Sequence, residues 1–293
     1  MTYIQAIIIG VLQGVTELFP ISSLGHSVLV PAWLGWENLV GSQSSGESFY
    51  LAFLVGLHLA TAVALLVHYR RDWVGIGRGL IRSTATRRIT TPEARLGWLL
   101  IVATIPVGVL GLIFEHSLRT LFAKPLAAAV FLTVNGVILL GGELVRRRVP
   151  VPVRSVGAAA AVQTRSRSID ELSFGNGLLI GAAEILALFA GISRSGVTMV
   201  AGLLRGLDHE HAARFSFMLA TPVILAAGLY KLPDLLGPNG SGIRGQILVG
   251  SIVAGLAAYV SVRFLERFFR ANTLLPFAVY SLAVGSLSIL RFA

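Results

Sequence analysis

Apolar residues along this chain fall into blocks about as long as a membrane-crossing helix, and arginine-rich segments separate them. Six blocks, at 49–69, 97–114, 125–142, 215–230, 246–262 and 275–290, come close to the roughly 17–25 residues that a spanning helix needs. Two more, at 3–20 and 174–192, differ in kind. They carry Gln13, Glu17 and Glu184, and they then break into Pro, Gly and Ser. Irregular backbone survives at membrane depth only where protein or water satisfies it, so these two read as re-entrant helix–loop–helix hairpins. The pattern predicts an all-α integral membrane protein with six transmembrane helices and two re-entrant hairpins.

Composition agrees. Of the 293 residues, 55% are hydrophobic and 13% charged, about half the usual charged share of a soluble domain. A soluble fold of this size could not cover its surface with so few charges, which excludes a cytosolic enzyme. The lack of polar low-complexity tracts excludes disorder. There is no cysteine, so disulfides, thiolate chemistry and Cys-ligated zinc are excluded as well.

The formal charge of +10 raises nucleic-acid binding, and the placement of the basic residues answers it. With Met1 outside and the first hairpin returning outside, the segments 70–96, 143–173, 205–214 and 263–274 are cytoplasmic. They hold 18 of the 24 Lys and Arg residues, five fall on the other face, and Arg194 alone stays at depth. That asymmetry is the positive-inside signal, and nucleic acid is not expected as a partner. The N-terminus lacks the basic region of a secretory signal, since Arg70 is the first Arg or Lys. Segment 155–168 reads as a cytoplasmic linker and 233–245 as an external loop.

The hairpins resemble each other. Gly10 to Gln13 set over Gly181 to Glu184 places, without gaps, Ile21 on Ile192, Ser22 on Ser193, Ser23 on Arg194 and Gly25 on Gly196. In each half a hairpin precedes three spans, and an odd number of crossings inverts the second half. The expected organisation is a repeat at 1–145, a cytoplasmic linker at 146–173 and an inverted repeat at 174–293. Inverted repeats bring broken-helix tips together near the membrane midplane.

Of the 14 acids, only Glu17 and Glu184 lie within apolar stretches, where a charge costs about 2.5–3.5 kcal/mol. Gln13 and Glu17 share a helical face, and Ser22, Ser23, Gly25 and His26 follow at a polar turn. An acid, hydroxyls and an imidazole at one turn suit proton transfer or nucleophilic attack. The second turn holds Gly191, Ser193, Arg194, Ser195, Gly196 and Thr198. Glycines with successive N–H groups at a helix start cradle anions, and a guanidinium suits phosphate oxygens. Together the turns point to a phosphate-like ligand at a membrane-buried site. His58, Thr61 and Asn135 read as helix-packing residues, Arg205 and Arg214 as interfacial anchors. His209 and His211, at a helix start beside Asp208 and Glu210, are not read as a metal site.

These two segments, Gln13 to His26 and Gly191 to Thr198, resemble the signatures of the bacterial undecaprenyl-diphosphate phosphatase family, also called the bacitracin-resistance family. The resemblance continues through Arg205–Leu207 and Ala212–Phe217 and covers the chain apart from the linker near 150–170. Gln13 stands where many members have Glu, Leu24 replaces the usual Thr, and Ala190 the usual Pro. The resemblance implies hydrolysis of undecaprenyl diphosphate to the monophosphate, which recycles the carrier for peptidoglycan synthesis and confers bacitracin resistance. It implies the bacterial cell (inner) membrane as the location, an active site open to the outer face, and a divalent metal, Mg or Ca. The expected partners are the polyprenyl diphosphate and membrane lipids; a homodimer is admitted but not argued.

On that reading Arg194 and the N–H groups of Ser193 to Gly196 hold the phosphate. Ser22, Ser195 and Thr198 support them. Glu17, helped by Gln13, positions the metal or serves as base. The nucleophile is left open between Ser23, His26 and a metal-bound water. A phosphatidic-acid-type phosphatase is rejected because it calls for a His where Val200 stands. The remaining alternative is a lipid-phosphate flippase or other secondary transporter built on the same repeat.

Overall fold

The structure, a computed structural model, describes residues 1–36, 39, 49–122, 124–148, 168–237 and 242–293. It is helical, with no strand among the described residues. Six helices are long and apolar enough to cross a membrane: α3 (Phe49–His68), α5 (Pro92–Phe122), α6 (Pro125–Arg148), α9 (His209–Tyr230), α11 (Arg244–Phe268) and α12 (Leu275–Phe292). The chain is therefore an all-α, multi-pass membrane protein. The remaining helices are α1 (Tyr3–Thr16), α2 (Ser23–Trp33), α4 (Arg70–Thr86), α7 (Phe174–Ala183), α8 (Arg194–Leu204) and α10 (Leu232–Leu236). The linker expected at 155–168 and the tip of the 233–245 loop fall largely outside the described residues.

Some spanning helices run past the apolar blocks, and where a polar end turn is capped it stays helical. Asp208, for example, accepts the His211 N–H at 2.7 Å and starts α9 six residues before the apolar block. Segment 70–96, expected as a loop, contains α4. Its Ile76, Gly79 and Ser83 pack inward while Arg71, Arg78 and Arg82 face out, the pattern of a helix lying along a membrane surface. Asp72 on α4 pairs with Arg214 at 2.7 Å, and His209 pairs with Glu143 at 2.8 Å.

Burial sorts the spans. More than half of the apolar windows of α3 and α9 is buried (56% and 61%), against 28% for α5, α11 and α12. The first two form the centre; the others present large apolar side chains such as Leu112, Leu256 and Leu290 outward. In water that surface would be untenable, whereas in lipid it is simply solvated.

Both short helix pairs are broken where the sequence turns polar. After α1 the chain makes a turn from Glu17 to Ser22 before α2 begins. After α7 a short 3-10 turn, Glu184–Leu188, leads to an extended residue, Phe189, and then to α8. α1 packs along α11 and α7 along α5, so each broken helix leans on a span from the other half of the chain. This exchange brings the two breaks together.

Candidate active site

The breaks interlock through small groups. Ser22 caps α2 and holds φ at +70°, a sparsely populated conformation for a residue with a side chain. Its Oγ accepts the N–H of Gly25 (3.2 Å) in its own turn and of Gly191 (3.1 Å) in the other. Gly191 has φ of +117°, and a Cβ on Gly25 would lie 2.9 Å from the Gly191 Cα. Only residues without a Cβ allow this approach. Asn135 of α6 bridges the same turns: its Nδ2 donates to Pro20 O (3.0 Å) and its Oδ1 accepts the Ser193 N–H (2.9 Å).

Held this way, the side chains meet around Glu17. Its Oε2 accepts from Ser23 Oγ at 2.5 Å and from Gln13 Nε2 at 3.1 Å, and it lies 3.4 Å from His58 Nε2. Its Oε1 receives Arg194 Nη2 at 2.9 Å. The Ser23 bond is short, as hydroxyl-to-carboxylate bonds are. His58 Nδ1 faces Leu54 O at 2.8 Å, so both ring nitrogens face acceptors, an arrangement that suits the imidazolium form. The two turns, far apart in sequence, thus supply an acid and a hydroxyl from one side and a guanidinium from the other.

A cavity of about 390 Å³ opens on this cluster. Glu17, Ser22, Ser23, His58, Glu184, Ser193 and Arg194 form its polar end, Leu51, Val55, Val107, Leu188, Val223 and Ile224 are among its apolar walls, and Lys231 also lines it. A pocket with charge at one end and aliphatic walls fits an amphiphile with an anionic head.

Several residues expected at the site stand elsewhere. His26 does not line the cavity; its Nδ1 donates to Ser22 O (2.7 Å) and its Nε2 faces the Tyr280 hydroxyl (2.8 Å). Gln13 sits behind Glu17. Ser195 Oγ donates to Phe19 O (3.2 Å), and Thr198 Oγ1 bonds Arg194 O (2.9 Å) and Ser216 Oγ (2.7 Å). Gly196 faces Leu139 and Asn135 on α6. Half of the expected N–H cradle is committed, because the Gly196 N–H goes to Ser193 Oγ (3.1 Å) and the Ser193 N–H to Asn135. These groups fold the turns rather than face a ligand. His58, read from the sequence as a packing residue, is instead a member of the cluster. Lys231 and Glu184 join the cavity without having been singled out as site residues.

The chain matches a family model described as bacitracin resistance protein BacA over residues 6–287. It belongs to the BacA family. Named relatives are close: it is 53% identical to undecaprenyl-diphosphatase 2 of Frankia alni, over 100% of this chain and 98% of the relative. It is 54% identical to undecaprenyl-diphosphatase of Mycobacterium avium over the same shares. A more distant relative, undecaprenyl-diphosphatase 2 of Chromobacterium violaceum, is 46% identical over 99% of each chain. The match to the BacA family takes in both turns and every residue of the Glu17 cluster.

Proposed function

We propose that this protein is a membrane phosphatase that hydrolyses undecaprenyl diphosphate to undecaprenyl phosphate and inorganic phosphate. The observation that carries the reading is the Ser23–Glu17–Arg194 array at the polar end of an aliphatic-walled cavity. The prenyl chain lies along those walls and in the surrounding lipid, and the diphosphate enters beside Arg194.

Ser23 is the nucleophile and Glu17 its base. As Ser23 Oγ bonds the terminal phosphorus, its proton passes to Glu17 Oε2, and the bond from phosphorus to the bridging oxygen breaks. Undecaprenyl phosphate leaves with that oxygen. Water then attacks the phosphoserine, inorganic phosphate departs, and Ser23 recovers a proton. Arg194 offsets charge on the phosphoryl oxygens, while His58 keeps Glu17 oriented. Ser23 is preferred to His26 because the serine lines the cavity and the imidazole does not.

Among the described residues, the donor set around Glu17 does not form a resident site for Mg or Ca. Glu17 oxygens are engaged by Gln13, Ser23, His58 and Arg194, and no group of three candidate metal ligands converges among the described residues. A divalent cation, as expected from the resemblance, fits best as a companion of the diphosphate, and no step above runs through it.

The two halves, 1–145 and 174–293, are read as inverted repeats with α1–α2 and α7–α8 as re-entrant hairpins, in the bacterial inner membrane. The arginine bias supports an outward-facing cavity: its walls come from the ends of α3, α5 and α9 that lie away from the arginine-rich segments. Phosphate release by purified protein from a long-chain prenyl diphosphate, with and without chelator, tests the activity. Transport of the intact lipid across proteoliposomes without phosphate release would replace this reading with a flippase.

A further inference from the structure

One acidic residue in the cavity takes no part in these steps. Glu184 opens the 3-10 turn after α7, is wholly buried, and lines the cavity. Neither of its carboxyl oxygens has a hydrogen-bond partner, and neither has Arg194 Nη1, which lies 3.9 Å from Glu184 Oε1. The turn packs against α5, α7 and α8. α5 contributes Val107 and Gly111 to this part of the cavity; the titratable and charged groups sharing it are Arg194, Glu17, His58 and Lys231.

A buried carboxylate with no donor is costly, and Arg194 is already bonded to Glu17. A second anion here would also repel an incoming diphosphate. With a neutral Glu184, the polar end sets one carboxylate, Glu17, against Arg194 and an imidazolium at His58, and is net positive. A protonated carboxyl is also a donor. Two donors 3.9 Å apart can both reach a single acceptor at about 2.8 Å, so a phosphoryl oxygen that enters between Glu184 and Arg194 Nη1 comes within reach of both. The first half offers a parallel: in the ungapped register the residue opposite Glu184 is Gln13, a neutral amide that donates to Glu17.

We propose that Glu184 binds substrate as a neutral carboxylic acid, its O–H and Arg194 Nη1 together gripping one oxygen of the lipid diphosphate. This assignment rests on the phosphatase reading above.

The test compares wild type, Glu184→Gln and Glu184→Leu in phosphate release from a long-chain prenyl diphosphate, from about pH 6 to about pH 9. Inorganic diphosphate binding, read by thermal stabilisation in detergent, accompanies it. The Gln variant retains a neutral donor, so its kcat/KM stays within about threefold of wild type. It also keeps activity on the alkaline side, where wild type declines as the donor proton is lost. The Leu variant loses about 10- to 100-fold, the worth of one hydrogen bond to a charged group, and binds inorganic diphosphate more weakly. A Gln variant as impaired as Leu shows that a carboxylate is required and overturns the proposal. Full activity in both variants overturns it too. Should wild type release no phosphate, the phosphatase reading fails by itself, and unequal diphosphate binding by the Gln and Leu variants still decides the role of Glu184.

Discussion

Glu17 receives a hydroxyl, an amide, an imidazole and a guanidinium, and each neighbour predicts a different loss. Ser23→Ala removes the proposed nucleophile without adding bulk, so phosphate release falls by at least about 10³-fold while the melting temperature in detergent holds. Arg194→Lys keeps a charge but not the fork that spans Glu17 and the phosphate; a loss of more than about 100-fold in kcat/KM is expected from the same assay. Tyr280→Phe removes only the partner of His26 Nε2, outside the cavity. Its expected effect is under about tenfold, and a loss as large as that of Ser23→Ala would return His26 to the chemistry. Glu17 and Arg194 were legible in the sequence because an ionised side chain in an apolar run has a cost that function or pairing must offset. His58 was not. A single imidazole in a spanning helix looks the same from sequence whether it faces a backbone carbonyl or an acid on another helix. His26 and Thr198 show the reverse difficulty, since their side chains bond outside the cavity and polar residues at a tight turn are as often needed to fold the turn as to use it.

At the level of elements, the site depends on two helix breaks that touch. The breaks themselves were readable, because Pro20 and Ser22 in one segment and Gly191 and Ser193 in the other interrupt a helical run with residues that favour turns and helix starts. Their staple was not, since neither the double acceptance by Ser22 Oγ nor the Asn135 bridge has a local signature. Gly191→Ala tests the staple. The new Cβ would lie 2.5 Å from Ala128 O and 2.7 Å from Leu132 N, on a residue already at φ +117°. Strain and overpacking together predict a loss of about 2–4 kcal/mol, seen as a lower melting temperature in detergent. Activity falls with it, because α8 carries Arg194 and moves away from Glu17. An alanine variant with unchanged melting temperature and unchanged turnover would show that the turns need not approach so closely.

For the molecule as a whole, the decisive quantity is which side of the membrane the cavity opens to. Arginines concentrate on one face: α4 carries Arg70, Arg71, Arg78 and Arg82, α6 ends on Arg146 and Arg147, and α9 starts beside Arg205 and bears Arg214. The cavity draws on the opposite ends of α3, α5 and α9. The proposed action at the outer face requires this arrangement, and the absence of native cysteine makes it measurable. Ala227, exposed on the cavity wall, and Arg78, exposed on α4, are suitable reporters. In intact cells a membrane-impermeant maleimide should label Ala227→Cys and spare Arg78→Cys, and inverted vesicles should reverse the pattern. Excess prenyl diphosphate should protect Ala227→Cys, since the head group and first isoprene units fill the space beside it. Labelling of Ala227→Cys only in inverted vesicles would place the cavity on the cytoplasmic side, and the phosphatase would then act before the carrier crosses the membrane rather than after.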